Sequence, residues 1–125
     1  MGTILAFVAV LMSAILFPFG LLTTLSINLW KRKWRYSFKR LDDQFLAIAT
    51  SIDASGNVVC MDLFNLLLKQ KTGYSFGNRR ETISSVLGKN QRDGTLTKLG
   101  VFVAYVLDKI DKNHCLKSID ESVSN

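Results

Sequence analysis

Residues that could supply acid–base or nucleophilic chemistry lie in the second half of the chain. Glu81 and His114 could transfer protons, and Ser84 could act as a nucleophile, if folding brought the three together. They would then form a small hydrolase site. The spacing enforces no such meeting, and Glu81 equally suits a helix-capping role. Catalysis is therefore the less favoured interpretation, with these three as the candidate catalytic residues.

Metal and nucleotide chemistry are disfavoured. The chain has one histidine and two cysteines, whereas a structural zinc site of the usual kind takes four Cys or His ligands. The Gly-Lys pair in SSVLGKN lacks the rest of a phosphate-loop motif, because Ile83 stands where the first glycine belongs and Asn90 where Ser or Thr belongs. We expect no metal and no cofactor.

The whole net charge of +6 comes from one segment, residues 31–40, which we call the basic collar. Residues 41–125 hold ten bases and ten acids, and nothing charged precedes the collar. Interleaved bases and aromatics could grip a nucleic acid, but they are also typical of a bilayer interface. The expected interface residues are Trp30, Lys31, Arg32, Lys33, Trp34, Arg35, Tyr36, Lys39 and Arg40.

An apolar segment directly precedes the collar. Residues 3–30 exceed the roughly 20 apolar residues that a helix needs to cross a bilayer. A cleaved signal peptide would begin with a basic residue and end in a cleavage site, and this segment has neither. We expect a retained anchor with a kink at Pro18. A re-entrant hairpin at FPFG is the weaker alternative, because its first arm would be too short to span.

The position of the collar predicts the topology. The positive-inside rule places the collar and everything after it in the cytoplasm, and the N-terminus outside. Anionic lipid headgroups are then the expected partner of the collar, and nucleic acid is unlikely. Cys60 and Cys115 would be reduced thiols in that compartment.

The remaining chain is expected to form a small helical domain. Apolar spacing predicts helices over residues 38–52, 58–71, 78–90 and 95–113, with DASGN at 53–57 as a turn. For 58–71 a strand is the alternative, because Val58, Val59 and Cys60 suit one. Asn78 and Glu81 suggest a capping box, and Gly88 a helix C-cap. The predicted fold class is all-α, with one transmembrane helix and about four short helices. The predicted divisions are an anchor at 1–30, the collar at 31–40, a domain at 41–119 and a flexible tail at 120–125.

The segment from Asp53 to Asp120 resembles a group of small phage-encoded proteins, most of them of unassigned function. The resemblance rests on SIDASGNVVC, FGNRRETISSVLGKN, GTLTKLGVF and LDKIDKNHCLKSID. The matching motif positions are Asp53, Asn57, Glu81, Thr82, Ser84, Ser85, Gly88, Lys89, Asp111, His114 and Cys115. Relatives commonly carry Pro-Asp where this chain has Arg79 and Arg80. The resemblance implies a phage origin and a setting near lysis or late functions, without a mechanism.

These observations favour a single-pass protein of the host inner membrane that acts through protein–protein contacts, in lysis control or envelope modification. Its partner would be another protein or a second copy of the chain. Two alternatives stay open: a structural or assembly component of a virion, and a small membrane-anchored hydrolase.

Overall fold

The structure, a computed structural model, describes residues 1–31 and 34–124 and confirms the all-α fold class. The described residues form six helices. They are α1 (Gly2–Lys31), α2 (Trp34–Val59), α3 (Met61–Leu67), α4 (Ile83–Arg92), α5 (Lys98–Ile110) and α6 (His114–Lys117). The chain divides into two compact units, Met1–Leu46 and Ala47–Asn125.

Helix α1 carries the predicted anchor. Its segment Gly2–Ile27 is long and apolar enough to cross a membrane, and its large side chains are exposed. The helix continues through Pro18, so the chain does not adopt the hairpin alternative at FPFG. The hydroxyls of Ser13, Thr23 and Ser26 each donate to the carbonyl four residues earlier, which satisfies them without water.

Helix α2 runs through DASGN, so the predicted turn at 53–57 is wrong. Turn-forming side chains favour turns by bonding to their own backbone. Here Asp53 and Asn57 instead bond to the segment 77–84, and Gly56 lies against the Ile83 side chain. Tertiary partners therefore replace the local bonds that would have closed a turn.

The second unit is built around α4. Val86 and Leu87 are fully buried at its centre, and the rest of the core is Leu68, Phe76, Leu96, Ala104 and Cys115. One isolated antiparallel bridge joins Lys69 to Leu96 and links the end of α3 to the start of α5. Helices α4, α5 and α6 pack on one another.

The ends of α4 differ from the prediction. Thr82 is the N-cap, and its hydroxyl accepts from the Ser85 amide at 3.1 Å. Asn78 instead accepts from the Arg80 amide two residues on, in a local turn that precedes the helix. Gly88 lies inside the helix rather than at its end. The capping box and the C-cap were both misplaced, because the Asn78 side chain closes a turn before the helix and because Gly88 lies where α6 packs against α4.

Candidate functional site

A buried ion pair is the most distinctive feature of the second unit. Lys89 Nζ lies 2.6 Å from Glu81 Oε1, and the two side chains are 3% and 0% exposed. Lysine and glutamate are almost never fully buried unless they are paired. Both residues belong to the motif that the sequence singled out, and α4 brings them together because Glu81 lies just before it and Lys89 two turns along it.

Ser85 ties the ion pair to the end of the chain. It lies on α4 one turn before Lys89, and its hydroxyl donates to Glu81 Oε1 at 2.7 Å. The same hydroxyl oxygen accepts from the Asp120 amide at 2.9 Å. The carboxylate therefore receives bonds from a lysine and a serine, and the serine in turn fixes the backbone after α6.

Tyr74 and Val123 complete the site, which we call the Glu81–Lys89 cluster. Lys89 Nζ donates to the Val123 carbonyl at 2.5 Å and lies 4.3 Å from the centre of the Tyr74 ring. The Tyr74 hydroxyl donates to the same carbonyl at 3.3 Å. The segment predicted as a flexible tail thus supplies Val123 and Asp120 to this cluster, and Glu121 pairs with Arg92 at 2.6 Å.

The electrostatics keep the lysine charged. Burial acts to lower the pKa of Lys89, but the hydrogen bonds and charge of Glu81 and Tyr74 outweigh it, and the pKa lies above 10.5. Burial, followed by the neighbouring Glu81 carboxylate, raises the pKa of Tyr74. At neutral pH Lys89 is therefore a cation and Tyr74 a neutral hydroxyl, so neither is a base or a nucleophile.

A second group of polar side chains, which we call the Asn57–Asp53 cluster, holds the segment that leads into α4. The buried Asn57 side chain donates to the carbonyls of Asn78 and Glu81 at 3.0 and 2.8 Å and accepts from the Gly77 amide at 3.1 Å. Asp53 accepts from the Ile83 amide at 3.1 Å and from the Ser84 hydroxyl at 3.0 Å. Asp53 therefore acts as a cap supplied from another helix, whereas Asn57 holds the backbone of the segment before α4.

We predict a small cost for Asp53→Asn. An asparagine oxygen can still accept from the Ile83 amide, and its NH2 group can donate to the Ser84 hydroxyl, which reverses that bond, so the main loss is the charge at the N-terminus of α4. That should lower the free energy of unfolding by about 0.5–1 kcal/mol. Asp53→Ala removes the acceptor as well and should cost about 1–2 kcal/mol. Urea unfolding followed by pulse proteolysis measures both, and equal costs would contradict the capping role.

The three candidate catalytic residues have different partners. Ser84 bonds to Asp53, and Glu81 bonds to Ser85 and Lys89. His114, the first residue of α6, has its Nδ1 3.3 Å from Asp111, and both of these side chains are at least 37% exposed. Hydrogen bonds from Lys117 and then His114 lower the pKa of Asp111. No nucleophile–base–orienter arrangement joins the three among the residues that the structure describes. Across residues 1–31 and 34–124, no group of three or more His, Cys, Asp and Glu side chains could hold a metal.

Cys115 is a buried structural thiol. It is 0% exposed, and its amide donates to Asp108 Oδ1 at 3.2 Å. Burial, then the charges of Asp108 and Asp53, raises its pKa to about 11. The thiol is therefore protonated and unreactive at neutral pH.

The two cysteines should differ in reactivity. Cys60 is only partly buried, so a maleimide at pH 7.5 should label it in the folded protein, whereas Cys115 should react only after unfolding. Mass spectrometry of labelled peptides checks this expectation. Labelling of Cys115 at the rate of Cys60 would contradict it.

The Cys115 thiol also makes the stability of the fold depend on pH. Because this thiol ionises more easily in the unfolded chain, the free energy of unfolding should fall as the pH rises from 9 towards 11.

The collar is only partly described. Trp30 is 91% exposed, and Lys39 and Arg40 are exposed. The predicted interface residues Arg32 and Lys33 lie outside the described residues, as do the side chains of Lys31, Trp34, Arg35 and Tyr36.

Sequence reasoning missed Tyr74 and Asn90. Asn90 is fully buried, donates to the Tyr74 and Val86 carbonyls at 2.9 Å, and accepts from the Thr95 hydroxyl at 2.6 Å. A signal existed for Asn90, because it continues the buried face of Ile83, Val86 and Leu87 at helical spacing. No comparable pattern marks Tyr74.

The Glu81–Lys89 cluster and the Asn57–Asp53 cluster define a small helical module held together by buried polar contacts. Comparison with protein-family models, with curated proteins and with solved structures finds no match for this chain.

Proposed function

We propose that the protein is a single-pass membrane protein, with its N-terminus outside and its second unit in the cytoplasm, that acts through contacts with other molecules rather than by catalysis. The observation that supports it best is the distribution of charge. An uncharged helical segment, Gly2–Ile27, is followed at once by all of the net positive charge of the chain.

The polar clusters support a non-catalytic role. The charged and nucleophilic side chains of the Glu81–Lys89 cluster bond to one another and are closed over by Val123, so a substrate has no access to them. Such a module presents its outer surface to partners. The resemblance to phage-encoded proteins extends the proposal to the host inner membrane and to lysis control or envelope modification.

The topology can be tested in spheroplasts. We expect a C-terminal epitope to resist added protease until detergent is present, and an N-terminal epitope to be digested at once. In a matched variant, Lys31, Arg32, Lys33 and Arg35 become Gln and four lysines are added after Met1. Because the flanking bases set the orientation, this variant should invert. A C-terminal epitope of the unaltered protein that is digested in intact spheroplasts would overturn the topology.

A further inference from the structure

The outward side of α5 is apolar although many other surface side chains of the second unit are charged. Gly100 and Ala104 on the inward side are buried, whereas six apolar side chains on the other side are between 42% and 80% exposed. They are Leu99, Val101, Phe102, Tyr105, Val106 and Ile110. We call these six residues the α5 surface. A cluster of exposed apolar side chains on a small domain indicates an interaction site.

Lysines lie within this surface and at its end. Lys98 and Lys109 share a helical stripe with Phe102 and Tyr105, and Lys112 follows the end of the helix. All three lysines are exposed, and no ion pair involves them within residues 1–31 and 34–124. Lys109 Nζ lies 5.3 Å from the centre of the Tyr105 ring.

The nearby acids do not neutralise these lysines. Asp108 turns inward and accepts from the Gln91 side chain and the Cys115 amide, both at 3.2 Å. Asp111 is engaged with Lys117 and His114. The α5 surface therefore combines exposed aliphatic and aromatic groups with exposed lysines among them and at its end, and with no free carboxylate. Long lysine side chains can extend to anionic headgroups while the apolar groups beside them enter the bilayer interface.

The charges favour a lipid surface over a second copy of the chain. A two-fold contact pairs the same patch on both partners, so it would bring the lysines of the two copies together, and their charges would repel. Anionic headgroups would instead attract each lysine, while Phe102 and Tyr105 fit the boundary between headgroups and acyl chains. A chain anchored through α1 also keeps this unit close to a bilayer at high effective concentration.

We propose that the α5 surface docks on the anionic leaflet of the bilayer that α1 crosses, with Lys98, Lys109 and Lys112 on the lipid headgroups. This inference rests on the proposed membrane insertion of α1. It adds a second, reversible membrane contact made by the folded cytoplasmic unit, which depends on the presence of anionic lipid.

The test uses the full chain in nanodiscs loaded with one protein each, which removes any second copy. In a Cys60→Ser background, Val101→Cys carries an environment-sensitive fluorophore, and Arg80→Cys, which is exposed in the turn before α4, carries it in the control. Cys115 stays buried and unlabelled. We expect brominated acyl chains to quench the label at position 101, and not at position 80, in discs of phosphatidylcholine with phosphatidylglycerol. Quenching at 101 should be lost in phosphatidylcholine alone.

Charge variants test the role of these lysines. Lys98→Gln with Lys109→Gln should lower the ratio of docked to undocked protein about fivefold for each lysine removed. Arg79→Gln with Arg80→Gln removes two bases elsewhere on the unit and should change nothing.

The outcomes separate this inference from the proposed function. If α1 inserts and position 101 is not quenched in anionic discs, docking is overturned while the single-pass assignment stands. If the fluorophore at position 101 enters an apolar environment only in discs that hold two proteins, the α5 surface contacts a second copy of the chain, and lipid docking is overturned. Equal quenching at positions 80 and 101 would also overturn it. Failure of α1 to insert appears separately, as loss of the protein from the bilayer at alkaline pH.

Discussion

Removing Lys89 should unfold the second unit, and removing Glu81 as well should partly restore it. In Lys89→Met the Glu81 carboxylate stays buried without its counterion, which we expect to cost about 3–5 kcal/mol. A domain of this size has a total stability not much larger than that. The single variant should therefore be largely unfolded at room temperature.

The double variant tests the cause. Glu81→Gln removes the unpaired charge but keeps an oxygen that can accept from the Ser85 hydroxyl. In the Lys89→Met background this second substitution should raise the free energy of unfolding, although alone it should lower it by about 3–5 kcal/mol. Pulse proteolysis across a urea series measures all three variants. Costs that simply add would show that the two charges are not energetically coupled.

A surface ion pair provides the control. Arg92 and Glu121 lie 2.6 Å apart but are 46% and 71% exposed, so Arg92→Gln should cost under about 1 kcal/mol.

The contribution of the Glu81–Lys89 pair to stability depends on pH with a defined sign. Because pairing raises the Lys89 pKa, the contribution of the pair is complete below the ordinary value of 10.5 and is lost as the pH rises through the higher value in the folded state.

The helical spacing of apolar residues predicted the helices, but the positions of the helix ends depend on tertiary contacts. The apolar run of α1 and the spacing of α5 are strong signals that no local feature opposes. The end of α2 was misread because Asp53 and Asn57 usually form turns, and only the folded chain shows that their partners lie at 77–84. Sequence reasoning could not know that these residues bond across helices.

The same reason limited prediction of the site. The motif contained Glu81, Ser85 and Lys89, but their types suggested a capping box or a catalytic group rather than a buried ion pair. The deciding contacts come from Tyr74, Asp120 and Val123, which are distant in sequence from α4 and carry no local pattern. A charged residue at helical spacing can be exposed or buried, and only its distant neighbours decide which.

Gly88→Ala should destabilise the second unit even though alanine is the better helix former. Inside an exposed helix this change would gain about 1 kcal/mol. Here an added Cβ would lie 2.1 Å from the Cys115 carbonyl oxygen and 2.8 Å from the Ile119 side chain. Backbone cannot yield as a flexible side chain does, so α6 would have to move off α4. We expect a net loss of about 1–3 kcal/mol.

Gly56→Ala is the matched control for this explanation. Gly56 is also helical, but its added Cβ would meet only the tip of the Ile83 side chain, at 3.1 Å. A shift of a few tenths of an ångström by that side chain relieves the contact, so the propensity gain should leave stability nearly unchanged or slightly higher. Urea unfolding of both variants decides the matter. If Gly88→Ala proved as mild as Gly56→Ala, the close approach of α6 to α4 would not be what requires glycine at position 88.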